Sequence, residues 1–330
     1  MLEILLRSLR RYARDRLLLG MVSAVVLATI APGVGRSGGP LHGEVVANAG
    51  IFVVFFLHGA DLSIERLRAG VSRWRLHVLV QTFTFGVFPL LWVPLRLAAG
   101  RAVPPDLMLG FFYLCAIPST ITSSVAMTAI ARGNVPGAIF NATLSSVLGV
   151  FLTPLLVSLA FVGSGASLPV GEAMRKLAVL VVLPLVLGQA ARPLLADALA
   201  RHGGARSGLD RAVVLLIVYV SFCDSVAGGL WTDHGAATLA VTLAGAALLL
   251  AAVLVLTRRA ARWLGFEVED EIAAVFCGSK KGLAAGVAMA KVLFGAHPGI
   301  GVIVLPIMFY HQLQLVACSL LAERYAKRPR

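Results

Sequence analysis

The chain has 330 residues, of which 58% are apolar and 14% are charged, and its formal net charge is +13. This composition is too apolar for a soluble globular domain and predicts an all-α integral membrane protein with several spans. The positive charge does not indicate a nucleic-acid partner, because it is divided among short loops between apolar segments.

Apolar windows of about 17 to 25 residues, the length that crosses a bilayer, occur along the whole chain. They predict ten transmembrane helices, at residues 17–34, 44–60, 76–99, 107–130, 135–162, 175–195, 212–230, 236–257, 271–294 and 299–322. Of the Lys and Arg residues, twenty-one lie on the side of the N-terminus, six lie on the opposite side, and two lie inside the ninth span. By the positive-inside rule both termini are expected in the cytoplasm, where residues 1–16 and 323–330 form basic segments.

Ten spans divide into two sets of five, which cover residues 17–162 and 163–322. Because five is odd, the second set must enter the membrane in the opposite orientation to the first, as in inverted repeats. A faint similarity between the halves agrees with this division, since a Pro-Gly pair follows the fourth span at 136 and the ninth span at 298.

The fourth and ninth spans are also predicted to be interrupted near their middles. Pro118 removes a backbone donor from the fourth span, and Gly278, Gly282 and Gly286 loosen the ninth. Paired broken spans in corresponding positions indicate a binding site near the membrane midplane. The alternative for each segment taken alone is packing, in which hydroxyl groups bond to their own helix and glycines allow helices to approach closely.

Polar side chains near these interruptions are the candidates for a cation site. Hydroxyl, amide and free backbone oxygens are suitable ligands for a hard cation such as Na⁺. The candidates are Gln81, Ser119, Thr120, Thr122, Ser123, Ser124, Asn141, Ser279, Lys280 and Lys281. For Gln81, a hydrogen bond between helices is an equally good interpretation.

Lys280 and Lys281 lie side by side within the apolar segment VFCGSKKGLAAGVAMA. Each lysine would cost about 2.5–3.5 kcal/mol at the centre of a membrane helix, so both are expected to face a protein-lined or wet cavity. The candidates for a substrate site are Lys280, Lys281, Asp224, His311, Gln312, Gln314 and Ser145. The alternatives are an interfacial position for Asp224 and a simple hydrogen bond to a neighbouring carbonyl for His311.

No catalytic or metal-binding motif occurs in the sequence. It contains no HExxH, GxSxG or GxxxxGK[ST] pattern, so neither an enzyme nor ATP-driven transport is expected. The four cysteines, Cys115, Cys223, Cys277 and Cys318, lie in predicted spans without CxxC spacing. They are expected to be small core residues, and neither metal ligands nor a disulfide framework.

Several segments resemble the bile acid:sodium symporter family, and particularly its SBF-like branch, which includes the vertebrate solute carrier family ten, member seven, type. The segments are HGADLSIERLRAG, Gln81, IPSTITSSVAMTAIARGNVPGAIFNATLSSVLGVFLTPLL, FCDS, FCGSKKGLAAG and YHQ. The resemblance covers nearly the whole chain, and the long block across spans four and five is its most specific part.

The resemblance implies two inverted five-helix repeats arranged as two domains. Spans three to five and eight to ten would form a core domain, and spans one, two, six and seven would form a panel domain. The broken spans four and nine would cross near the membrane centre. Substrate would lie between core and panel and be exposed alternately to each side.

The resemblance also implies sodium sites, some of whose ligands are kept in this sequence. Gln81 matches the family's glutamine in span three, and Ser123 and Ser124 match a Ser-Asn pair that follows the break in span four. The hydroxyl positions of span five fall near Ala138 and Ala142, with Asn141 as the closest polar substitute.

The ninth span departs from that pattern. The family's glutamate falls on Val275 and its glutamine on Ser279, while Lys280 and Lys281 stand where neutral residues are expected. A sodium ion would lose its carboxylate there and be repelled by an ammonium group. We therefore expect a lysine head group at the cation position, either as a fixed charge or by gaining and losing a proton.

The expected function is secondary active transport of an organic anion, with Na⁺ as the coupling ion that the family implies. The expected partners are a small anionic solute and the lipid bilayer, with no obligate protein partner and no cofactor. The expected location is the cytoplasmic membrane of a bacterium, with a eukaryotic internal membrane as the alternative. Alternative functions are sodium-independent or proton-coupled transport, a non-transporting scaffold or sensor, and an anion channel.

Overall fold

The computed structural model describes residues 16–36, 38–61, 65, 70–99, 103–160, 170–201, 203–227, 235–294 and 297–328. Within these ranges the regular secondary structure is helical, without any strand. Most of the predicted basic segment 1–16 and the predicted junction between repeats at 162–163 lie outside the described residues.

The helices follow one another along the chain with short connections. They are α1 (Arg16–Ile30), α2 (Pro32–Gly35), α3 (Gly43–Asp61), α4 (Trp74–Thr82), α5 (Phe88–Ala99), α6 (Pro105–Ala116), α7 (Thr122–Ile130), α8 (Val135–Ala160), α9 (Val170–Leu177), α10 (Leu183–Arg201), α11 (Gly203–Ala227), α12 (Ala236–Trp263), α13 (Val268–Ser279), α14 (Leu283–Phe294) and α15 (Ile300–Ala326). Two π-helical turns, Phe83–Val87 and Ala178–Val182, join α4 to α5 and α9 to α10.

Six helical stretches in the described part of the chain are long and apolar enough to cross a membrane. They are Trp74–Ala99, Val135–Leu159, Gly171–Leu195, Ala237–Trp263, Val268–Phe294 and Ile300–Ala326. Shorter apolar helices occur at Leu19–Ile30, Val45–Ala60 and Pro105–Ala116. The chain is therefore an all-helical integral membrane protein, while the count of ten spans stays a prediction.

Helical structure stops at two places inside these apolar stretches, in the segments where the sequence predicts interruptions. Residues 117–121 separate α6 from α7, and residues 280–282 separate α13 from α14. Ile117 is extended, at φ −78° and ψ 158°, because the residue before a proline is disfavoured in the α conformation. Lys280 is likewise extended, at φ −94° and ψ 150°. We call these segments the first break and the second break.

Helices α3 and α10 pack along each other, and α11 packs against α1 and α3. Elsewhere α15 contacts α6, α12 and α14, and α13 contacts α7, α8 and α12. The contact between α3 and α10 depends on two glycines that face the opposite backbone. A methyl group on Gly59 would overlap the carbonyl oxygen of Leu185, and one on Gly188 would overlap that of Phe56. Small residues of this kind let membrane helices approach closely.

We expect Gly188→Ala to destabilise the protein by about 1–3 kcal/mol, the usual cost of an added methyl group in a packed interior. The matched control is Gly171→Ala, because Gly171 lies in α9 with open space around its Cα. The stability of both variants is measured by the thermal unfolding midpoint of the purified protein in detergent. Equal midpoints for the two variants would show that the α3–α10 contact is not close-packed.

Candidate functional site

The two breaks lie against each other and satisfy each other's backbone groups. The amide of Gly282 donates to the carbonyl of Pro118 at 3.0 Å. The hydroxyl of Ser119 donates to the carbonyl of Cys277 at 2.7 Å, and that of Ser124 donates to the carbonyl of Phe276 at 3.1 Å. The first break and the first turn of α7 thus supply donors to carbonyls that α13 leaves without partners at its C-terminus.

Long helices on either side hold the breaks in place. Ser145 on α8 accepts a hydrogen bond from the Ser119 amide at 2.9 Å. Tyr310 on α15 donates its hydroxyl to the carbonyl of Ser279 at 2.6 Å. Because these groups are buried, the irregular backbone around them is enclosed by protein, while Thr120 and Ile121 of the first break line a cavity. Such backbone is tolerated at membrane depth only where protein or a wet cavity surrounds it.

Lys281 is completely buried, and its ammonium group is bound by three backbone carbonyls. These are the carbonyls of Thr84 and Cys115, both at 2.9 Å, and of Ile117 at 2.8 Å. The ammonium also lies 4.0 Å from the centroid of the Phe88 ring. An ammonium has three N–H donors, so the carbonyls use all of them. We call these three carbonyls the Lys281 cage.

Each carbonyl in the cage is available for a structural reason. Cys115 and Ile117 lie at the C-terminal end of α6, where carbonyls lack a partner one turn further on and the helix dipole is negative. Thr84 lies in the π turn between α4 and α5, where the hydrogen-bond spacing of five residues departs from the α-helical pattern. Gln314 fixes the backbone of Lys281, accepting from its amide at 2.8 Å and donating to its carbonyl at 2.9 Å.

Lys280 is also completely buried but is held less tightly. Its ammonium donates to the carbonyl of Ser123 at 2.8 Å and lies 5.7 Å from the Phe276 ring centroid. Ser123 also lines a cavity beside the breaks, so Lys280 lies directly behind the wall of that cavity. The two neighbouring lysines therefore have different surroundings.

The cavity beside the breaks, which we call the break cavity, has a volume of about 210 Å³. Residues 119–123 and 282–285 line it, together with side chains of α3 and α11. Helices α7 and α14 both begin at this cavity, at Thr122 and Leu283. Their first amides lack an acceptor within their own helix and carry the positive end of the helix dipole. Arg211 adds a permanent positive charge.

The structure distributes the predicted site residues over several places. Ser119, Thr120, Thr122, Ser123 and His311 line the break cavity. Ser124, Ser145, Ser279, Lys280, Lys281 and Gln314 do not line it, and each contributes to the hydrogen bonds around the breaks instead. These eleven residues therefore form one connected cluster.

Four predicted residues lie outside this cluster. Gln81 donates to the carbonyl and side-chain oxygens of Asn141 at 3.2 and 3.3 Å, and its own Oε1 is buried without a partner among the described residues. Asp224 is paired with Lys291 at 2.9 Å. Gln312 lines a separate, apolar cavity of about 270 Å³.

Sequence reasoning missed two basic side chains of the break cavity, Arg211 and His58. Arg211 was assigned to a loop because it precedes the apolar window at 212, although α11 already begins at Gly203. His58 stands in the HGADL segment, which carried the family resemblance but suggested no role for this side chain. In both cases the available signal was a polar residue within one helical turn of the end of an apolar window.

Comparison with known proteins identifies relatives along nearly the whole chain. Residues 15–327 match the model of the SBF-like CPA transporter family. An uncharacterised protein of Pseudomonas aeruginosa is 45% identical over 96% of this chain and 95% of its own length. YfeH of Escherichia coli strain K12 is 41% identical over 95% of this chain and 93% of its own length. The sodium/bile acid cotransporter 7 of Danio rerio is 32% identical over 94% of this chain and 93% of its own length.

We expect Lys281→Ala to destabilise the protein by several kcal/mol, because each buried acceptor left without a donor costs about 1–3 kcal/mol. Lys280→Ala, which releases one carbonyl, is the matched control and is expected to cost less. Thermal unfolding in detergent measures both variants. Methylammonium chloride should partly restore the midpoint of Lys281→Ala by returning an ammonium to the cage, whereas equal losses in the two variants would contradict this role.

Proposed function

The chain belongs to the SBF-like CPA transporter family, which makes it a membrane transporter and not an enzyme, and from this premise we propose that it carries a small organic anion by alternating access. One observation carries the choice of an anion. The N-termini of α7 and α14, at Thr122 and Leu283, and the basic residue Arg211 all line the break cavity. All three favour negative charge.

The chemistry of the break cavity fits an organic anion better than a bare inorganic one. Arg211 can bind a carboxylate, sulfonate or phosphate with two parallel hydrogen bonds. Val54, Phe55 and Val214 provide apolar surface for a hydrocarbon part. Lys280 lies behind Ser123 and adds positive potential without occupying the cavity. The name of the zebrafish relative supports a bile acid as one candidate within this class.

We also propose that two groups of helices move against each other. Helices α4–α8 and α12–α15 would form the core domain, and α1, α3, α9–α10 and α11 would form the panel domain. The observation that supports this division is the lining of the break cavity, since the breaks belong to the first group, and α3 and α11 to the second. The predicted ten-span inverted repeat, with halves at residues 17–162 and 163–322, would accommodate these groups.

The bacterial relatives favour the cytoplasmic membrane of a bacterium as the location. The excess of basic residues on the side of the termini supports a cytoplasmic position for both ends. This orientation stays part of the proposal.

For the coupling ion, we propose that the Lys281 ammonium takes the place of one cation. The three cage carbonyls that would suit sodium already accept from Lys281. A sodium ion about 4 Å from an ammonium would be repelled by roughly 4 kcal/mol at an effective dielectric of 20. Sodium coupling, which the family and the name of the zebrafish relative support, is the alternative, with Gln81 Oε1 and Asn141 as its ligand candidates.

We expect Arg211→Gln to weaken the apparent affinity for the transported anion at least tenfold. Organic carboxylates, sulfonates and phosphates are tested for a saturable rise in the thermal unfolding midpoint, which reports binding to the folded state. The compound that gives the largest rise is then tested for uptake into proteoliposomes. Arg259→Gln, which removes an exposed arginine of α12, is the control and should leave both readouts unchanged. An unchanged affinity in Arg211→Gln would contradict the anion site.

We expect the wild-type unfolding midpoint to be the same in sodium chloride and in choline chloride, because Lys281 fills the cage. Lys281→Ala is expected to acquire a sodium-dependent rise, since its three carbonyls become free to bind a cation. A sodium-specific rise in the wild-type protein that Gln81→Ala abolishes would overturn this expectation and assign the ion to Gln81 and Asn141.

A further inference from the structure

A buried ion pair joins α11 to α14 at the end of their contact that lies away from the break cavity. Nζ of Lys291 and Oδ2 of Asp224 are 2.9 Å apart, and the two side chains are 4% and 15% exposed. Along α14, Lys291 lies about 12 Å beyond Leu283, which lines the break cavity. Along α11, Asp224 lies about 20 Å beyond Arg211, which lines it too.

Lys291 also lines a second cavity, of about 460 Å³, which we call the basic vestibule. Two further cations, Arg175 and Lys176 of α9, line the same space, together with the amide of Asn48 on α3. Two carboxylates balance part of this charge, because Glu172 binds Lys176 at 2.9 Å and Asp224 binds Lys291. Among the described residues, three cations therefore face two carboxylates, which leaves the vestibule with an excess of positive charge.

We infer that the basic vestibule binds the anion on the side opposite the break cavity, and that the bound anion replaces Asp224 as the partner of Lys291. The ligand is an anion that carries a carboxylate, sulfonate, sulfate or phosphate group. Its binding releases α11 from α14 and opens a route from the vestibule to the break cavity. This inference rests on the proposed function, to which it adds a second anion site and a gate.

The argument depends on the burial of Lys291. An almost completely enclosed ammonium that loses its paired carboxylate is strongly destabilised, so replacement of Asp224 by another anion is favoured over its simple withdrawal. Asp224 is the more exposed partner, and water can solvate its carboxylate after the exchange. Opening then requires an anion in the vestibule, and the empty protein stays closed on that side.

The test uses Ala288→Cys as a reporter, because Ala288 is 2% exposed and lies one turn before Lys291 on the same face of α14. The rate at which N-ethylmaleimide modifies this position is measured by mass spectrometry on purified protein in detergent. Sodium sulfate is the probe, and sodium chloride at equal ionic strength is the reference. We expect modification to be at least tenfold faster in sulfate. An unchanged or slower rate in sulfate would overturn the inference.

Further substitutions, each made together with Ala288→Cys, separate the contribution of the vestibule from that of the ion pair. Arg175→Gln combined with Lys176→Gln leaves the buried pair intact and should abolish the response to sulfate. Asp224→Asn should give fast modification in chloride already, with little further effect of sulfate. Arg36→Gln, an exposed arginine outside the vestibule, is the control and should respond like the parent. A normal response in the double variant would show that sulfate acts elsewhere.

Arg211→Gln distinguishes a failure of this inference from a failure of the proposed function. If the gate exists, the sulfate response persists in Arg211→Gln, because Arg211 lies in the break cavity and not in the vestibule. A sulfate response that disappears in Arg211→Gln would assign the effect to the break cavity and overturn the vestibule site. If Arg211→Gln is no longer stabilised by organic anions but keeps the sulfate response, the result supports the gate.

Discussion

The need to pair every backbone polar group at membrane depth governs this structure. Two helices stop in the middle of apolar stretches, and each break exposes amides and carbonyls that hydrocarbon cannot solvate. The breaks meet this demand by contacting each other, with the amide of Gly282 on the carbonyl of Pro118 and the hydroxyl of Ser119 on the carbonyl of Cys277. Carbonyls that remain at the end of α6 are bound by Lys281. The amides at the starts of α7 and α14 border the break cavity, where a ligand can be bound.

Three cations that are buried or line a cavity differ in their surroundings. Lys281 has all its donors on backbone carbonyls and therefore contributes to the architecture. Arg211 lines the break cavity. Lys291 is paired with Asp224 between two helices that also border the break cavity. In the proposed mechanism these settings correspond to stability, ligand binding and gating.

Much of the helical fold and the position of the breaks could be predicted from the sequence, because both follow from local rules. Apolar windows reveal spans, and Pro118 and Gly282 have known effects on the backbone around them. The partners of Lys281 could not be predicted, since they are main-chain carbonyls from two separate segments and any residue can supply them. Arg211 was missed for another reason. Charge counting assigns an arginine at the edge of an apolar window to a loop, whereas here the helix begins eight residues earlier.

The π turn at Phe83–Val87 couples the backbone of one helix to the side chain of Lys281. A π turn arises when one residue is inserted into an α-helix, and removing that residue restores regular spacing. Regular spacing would return the Thr84 carbonyl to its own helix and leave the Lys281 ammonium short of an acceptor. Deletion of one residue from this turn is therefore compatible with a fully bonded buried side chain only when the lysine is replaced as well. The length of one helix and the identity of a residue almost two hundred positions away therefore depend on each other.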